Sequence, residues 1–71
     1  MDLKQIGVNA GIVWRAIDAT EKKSCSFNEL KQHCGLSDME LNRAIGWLAR
    51  EEKIVINDSE QRISLPYYQF F

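Results

Sequence analysis

Two four-residue segments, Ser26-Phe27-Asn28-Glu29 and Ser37-Asp38-Met39-Glu40, constrain this chain more than any other feature. Each reads as a capping box. The Ser hydroxyl accepts from the backbone N–H of the Glu three residues on, and the Glu side chain reaches back to the Ser N–H. Cys25 with Leu30, and Leu36 with Leu41, stand at the staple positions that flank such a box. Gly35 lies between the two boxes and suits a left-handed helix cap. Two helices that stop and restart across one glycine turn meet at a sharp angle, the helix-turn-helix arrangement. The pattern predicts a short second helix that buries Phe27, Leu30 and Cys34. It predicts a third helix over about 38–51, with the wider segment 37–52 as the candidate contact element. Leu41, Ala44, Ile45 and Leu48 face inward on it. Met39, Arg43, Gly46, Trp47 and Arg50 face outward, with Asn42 on the flank.

A longer helix is expected first, over residues 3–19. Leu3, Ile6, Ala10, Val13 and Ile17 recur at spacings of 3, 4, 3 and 4, which makes one buried stripe. Val8, Ile12, Ala16 and Ala19 form a second apolar strip on nearly the opposite face. A helix apolar on two faces calls for two contacts. Gly7 and Gly11, four residues apart, allow another backbone to come close. Residues 20–24 read as a polar linker. After the third helix, Ile54-Val55-Ile56 and Ile63-Ser64-Leu65 flank a polar turn and predict a hairpin. Behind a helix-turn-helix, a hairpin is a wing. Fold class is therefore α+β and mostly α: three helices and a C-terminal β-hairpin wing, as one domain over residues 1–71. The segment 66–71 holds Tyr67, Tyr68, Phe70 and Phe71, and is too apolar for a solvated tail. With Val8 and Ile12 it supplies a candidate dimer or tail contact.

At 71 residues the chain suits one domain with a small core. No apolar run approaches the length of a membrane span, and the first residues lack a signal-peptide layout. A cytoplasmic chain is expected. The formal net charge is −1. Residues 1–35 carry five Lys/Arg against four Asp/Glu, and residues 36–71 carry four against six. The half with the third helix is the more acidic, whereas phosphate binding favours a basic surface.

Ile6-Gly7-Val8-Asn9-Ala10-Gly11-Ile12-Val13-Trp14 and Ala44-Ile45-Gly46-Trp47-Leu48-Ala49-Arg50-Glu51-Glu52-Lys53-Ile54 resemble a small bacterial family of winged helix-turn-helix proteins of unknown function. The resemblance spans roughly residues 5–65. It implies the fold and adds almost nothing on activity. More loosely, the chain is similar to winged-helix transcription regulators, whose third helix enters the DNA major groove. It departs from those in its charge balance and in the acidic wing residues Asp58 and Glu60.

No catalytic constellation is present, and no enzyme activity, cofactor or small-molecule substrate is expected. Adjacent helix residues point about 100° apart, so His33 and Cys34 do not pair. Cys25, His33 and Cys34 make only three possible zinc ligands without the usual spacing, so the thiols read as small buried hydrophobes. The candidate binding residues are Met39, Asn42, Arg43, Trp47 and Arg50. Arg43 and Arg50 suit guanine edges or phosphates, and Asn42 suits adenine. Lys22, Lys23 and Lys31 can add backbone contacts. Glu40 is also spaced to pair with Arg43 on the helix surface. The same residue types, Trp, Arg and Met, are enriched at protein interfaces. Duplex DNA is therefore the leading partner. The alternative is a protein-interaction module, as a homodimer or docked to a partner, without nucleic-acid binding.

Overall fold

The computed structural model describes residues 2–66, in the order α1 (Leu3–Asp18), β1 (Ser24–Ser26), α2 (Phe27–Cys34), α3 (Asp38–Arg50), β2 (Val55–Asn57) and β3 (Arg62–Ser64). Both capping boxes form. Ser26 Oγ accepts from Glu29 N at 3.1 Å, and Glu29 Oε1 accepts from Ser26 N at 2.9 Å. Ser37 and Glu40 repeat the arrangement at 3.1 and 2.9 Å. Gly35 closes α2 at φ +66°, a left-handed value that side chains with a Cβ resist. These local bonds satisfy the first amides of each helix, and so fix where the chain turns.

The core is shared by all three helices and the sheet. Val13 and Ile17 of α1, Leu30 of α2, and Leu41 and Ala44 of α3 are fully inaccessible. Ala10, Cys25, Ile45, Leu48, Ile54, Ile63 and Leu65 complete the cluster. Burying a Val, Leu or Ile side chain contributes about 1.5–3 kcal/mol. A cap contributes about 1 kcal/mol. Packing therefore holds the helices together, and the caps set their ends.

Two expectations for α1 need correction. Leu3 does not join the stripe: it is 71% exposed, and residues 2–5 are all exposed among the described residues. Ile6 is half-buried, so the buried stripe is Ala10, Val13 and Ile17, joined by Asn9. The second strip is graded. Val8 is 52% exposed and Ala19, the C-cap, is exposed, whereas Ile12 and Ala16 are half-buried.

The hairpin is present, with strands one residue away from the expected positions. Ile56 pairs with Ile63 across β2 and β3. Its turn is closed by Asn57 Oδ1, which accepts from Glu60 N at 3.1 Å, and Gln61 takes a left-handed φ of +54°. A third strand was not expected. Ser24, the last residue of the expected linker, forms β1 with Cys25 and Ser26, and β1 pairs antiparallel with β3, so the sheet order is β1-β3-β2. Arg62 ties this sheet to α2. Its Nε donates to Ser24 Oγ at 3.0 Å and its Nη2 to the Ser24 carbonyl at 3.2 Å, while Nη1 lies 3.9 Å from Glu29 Oε1. Among the described residues, no helix is long and apolar enough to cross a membrane.

Candidate nucleic-acid interface

The third helix presents three different surfaces. Its outermost face carries Met39, Arg43, Gly46 and Arg50, all exposed, with Met39 at 61%. Arg43 and Arg50 are seven residues apart, or about 10.5 Å along the axis, on one face. Among the described residues neither makes an ion pair. The Glu40–Arg43 pair that the spacing allows does not form, because Glu40 is engaged in the cap of α3. A Cβ placed on Gly46 would meet nothing within 4 Å. The glycine at mid-helix therefore serves no packing need within the described fold.

Asn42 lies on the wing side of α3. It lines a hollow of about 270 Å³ with Phe27 and Ile45 and, from the wing, Ile56, Asn57, Asp58, Gln61, Arg62 and Ile63. Trp47 lies on the opposite flank. It is half-buried, packs on the core, and faces α1 across a groove of about 560 Å³ that Gly7, Ala10, Gly11, Trp14 and Arg15 line from the other side. The structure thus brings Arg43, Arg50, Met39 and Gly46 together, and separates Trp47 and Asn42 onto two different walls. The helical wheel accounts for this: Trp47 sits about 100° to one side of Gly46 and Asn42 about 40° to the other, so the two are about 140° apart. The aromatic tail residues Tyr67, Tyr68, Phe70 and Phe71 lie outside the described residues, so their expected contact with Val8 and Ile12 does too.

The surrounding charges are mostly committed. Lys31 Nζ lies 2.7 Å from Asp38 Oδ1 and bridges α2 to the start of α3. Lys23 donates to the Asp18 carbonyl and lies 3.2 Å from its carboxylate. Both pairs are exposed enough to contribute little to stability, yet they lower the cationic charge that two of the three candidate lysines offer a phosphate. Glu29 and Glu40 are held below the ordinary carboxylate value of 4.5. The backbone N–H of Ser26 and Ser37 is the largest cause in each case, and the Ser hydroxyl the next. Burial pushes the Cys25 thiol up, and the Glu29 carboxylate adds to this. Burial raises Cys34 as well. Both are free thiols held in their protonated, less nucleophilic form. Among the described residues, no group of three His, Cys, Asp or Glu side chains gathers in the manner of a metal site.

The family model for the winged helix-turn-helix domain (DUF2582) matches residues 1–66. The chain belongs to this family. Searches among curated proteins and among solved structures found no match. Three features of the DUF2582 chain are not evident in its sequence: β1, the Arg62 network and the buried Asn9. The alternation Ser24-Cys25-Ser26, polar on both sides of a buried thiol, was the available signal for β1.

Proposed function

We propose that this domain is a binding module for duplex DNA, not an enzyme, and that the exposed face of α3 makes the contact. The observation that carries this reading is the pair Arg43 and Arg50. They are exposed, unpaired among the described residues, and about 10.5 Å apart on one face of a helix. A major groove about 12 Å wide admits one helix. Gly46 between them removes the side chain that would hold the helix axis away from the duplex. The first turn of α3 carries Asp38 and Glu40, which repel phosphate. Contact therefore centres on the middle and end of the helix, with Asn42 reaching inward from the wing side and Met39 at the edge.

Two arginines neutralise few phosphates, so the affinity is modest. With about two counterions released, binding falls roughly tenfold between 50 and 200 mM salt. Fluorescence anisotropy with a random-sequence duplex tests this. The expected result is binding at 50 mM salt with that shallow salt slope, and loss of most of it in Arg43→Ala/Arg50→Ala. Absence of binding by the natural chain at 50 mM salt sinks the proposal.

The second reading is self-association or partner docking without nucleic acid. It draws on the exposed apolar residues Val8 and Met39 and the half-buried Ile12. Sedimentation at high micromolar concentration checks it: a mass that stays at 8.2 kDa throughout rules out the homodimer in that range.

A further inference from the structure

Arg62 gathers β1, β3 and the start of α2 onto one side chain. It lies on β3 opposite Ser26, the N-cap of α2. Its Nε donates to Ser24 Oγ at 3.0 Å and its Nη2 to the Ser24 carbonyl at 3.2 Å, both on β1. Its Nη1 lies 3.9 Å from Glu29 Oε1, the oxygen that also accepts from Ser26 N in the cap of α2. Ser64 Oγ donates to the same Ser24 Oγ at 3.2 Å, at the other end of the β1–β3 ladder. A guanidinium presents its donors in one rigid fork, which a lysine ammonium does not reproduce.

The wing is otherwise tied to the helices at its root, where Ile54, Ile63 and Leu65 join the core. Beyond the root, β2 pairs with β3 alone among the described residues. The hollow of about 270 Å³ lies between Asn42 and Ile45 of α3 on one side and Ile56, Asn57 and Asp58 of the wing on the other. Packing of the wing tip on α3 therefore does not set the angle between them. That angle is passed from β3 through β1 to α2, and Arg62 stands at the junction.

We propose that Arg62 is a positioning residue: it fixes the wing relative to α3 and, on the DNA-binding reading, lets the two meet a duplex as one surface without touching phosphate itself. Two of its nitrogens are engaged by Ser24 and the third faces the Glu29 carboxylate. Among the described residues it thus offers a phosphate less than the unpaired Arg43 and Arg50 do. A wing that is already fixed has no ordering left to lose when a duplex closes on it.

The first test needs no DNA. Amide residual dipolar couplings are measured on the full chain, natural and Arg62→Lys, and those of Val55–Asn57 are compared with the alignment of α1 and α3. The expected result is one common orientation in the natural chain. In Arg62→Lys the wing couplings shrink while the helix couplings keep their fit. Ser24→Ala, which removes the Oγ acceptor without changing charge, moves the wing couplings the same way. Wing couplings unchanged in Arg62→Lys overturn the proposal; if that variant does not fold, unchanged couplings in Ser24→Ala do so.

The second test is anisotropy with a random-sequence duplex. Arg62→Lys and Arg62→Ala should weaken binding alike, by severalfold, and leave the salt slope at its natural value, since no phosphate contact is lost. A residue that contacts phosphate behaves differently: lysine keeps the affinity, and Arg62→Ala lowers the slope by about one counterion. That pattern, or affinity unchanged in both variants, overturns the role at the duplex. Absence of binding by the natural chain sinks the DNA reading alone, and the dipolar couplings then decide what Arg62 does.

Discussion

Asn9 is the one buried polar side chain among the described residues, at 2% exposure. Its Oδ1 accepts from Gln5 Nε2 at 3.2 Å, but its Nδ2 has no partner among the described residues. A buried donor left unpaired costs about 1–3 kcal/mol. Leucine is close to asparagine in shape and carries no such donor. Asn9→Leu should therefore stabilise the fold by about 1 kcal/mol, since Gln5 is exposed and regains water. Thermal unfolding followed by circular dichroism reads this directly, and a lower melting temperature for the variant contradicts it. Asn9 is not legible as a core residue in the sequence, because a buried stripe is marked by apolar residues alone. Leu3 failed for the mirror reason. It has the right type and spacing, yet the first turn of α1 is exposed among the described residues.

Elements whose ends are set by neighbouring residues were legible, and elements set by distant ones were not. Both capping boxes act within four residues, so Ser26, Glu29, Ser37 and Glu40 announced α2 and α3 directly. The strand β1 depends on a partner 40 residues away, Ser24 on Ser64, and on an arginine that arrives with β3. The caps also carry a pH dependence. The folded pKa of Glu29 and of Glu40 lies below the ordinary 4.5. Their contribution is thus present in full above 4.5, and is lost as pH falls through that value toward the lower folded one. Melting temperature measured from neutral pH down to about pH 3 should decline, and Glu29→Gln/Glu40→Gln should flatten that decline while melting lower at neutral pH. A double variant as steep as the parent would remove the caps as the cause. Gly46 gives α3 a prediction of opposite signs. Gly46→Ala should stabilise the helix by about 1 kcal/mol, because the site is open. The same methyl should weaken duplex binding, because it stands between Arg43 and Arg50. Paired melting and anisotropy data decide the matter: a variant that gains stability and keeps full affinity removes Gly46 from the interface.

At the scale of the whole molecule, charge is what separates architecture from function. The winged arrangement follows from caps, a stripe and a hairpin, none of which depends on net charge. Binding to a polyanion does, and the chain carries −1 overall with its acidic residues near the proposed contact. Glu40 and Glu29 are engaged in capping, so their charge is a by-product of helix ends. Glu60 accepts from Asn57 Nδ2 at 3.0 Å and helps to close the wing turn. Asp58 makes no hydrogen bond or ion pair among the described residues, although it sits on the same hollow as Asn42. It is therefore the acidic wing residue whose removal leaves the turn intact. If α3 enters a major groove, the wing lies over the adjacent backbone, and Asp58 faces phosphate. Asp58→Lys then replaces a repulsion by an attraction. The expected result is severalfold tighter duplex binding at 50 mM salt and a salt slope steeper by about one counterion, with the melting temperature unchanged. A variant with unaltered affinity and slope would place the wing away from the duplex, and would restrict the contact to the Arg43–Arg50 face of α3.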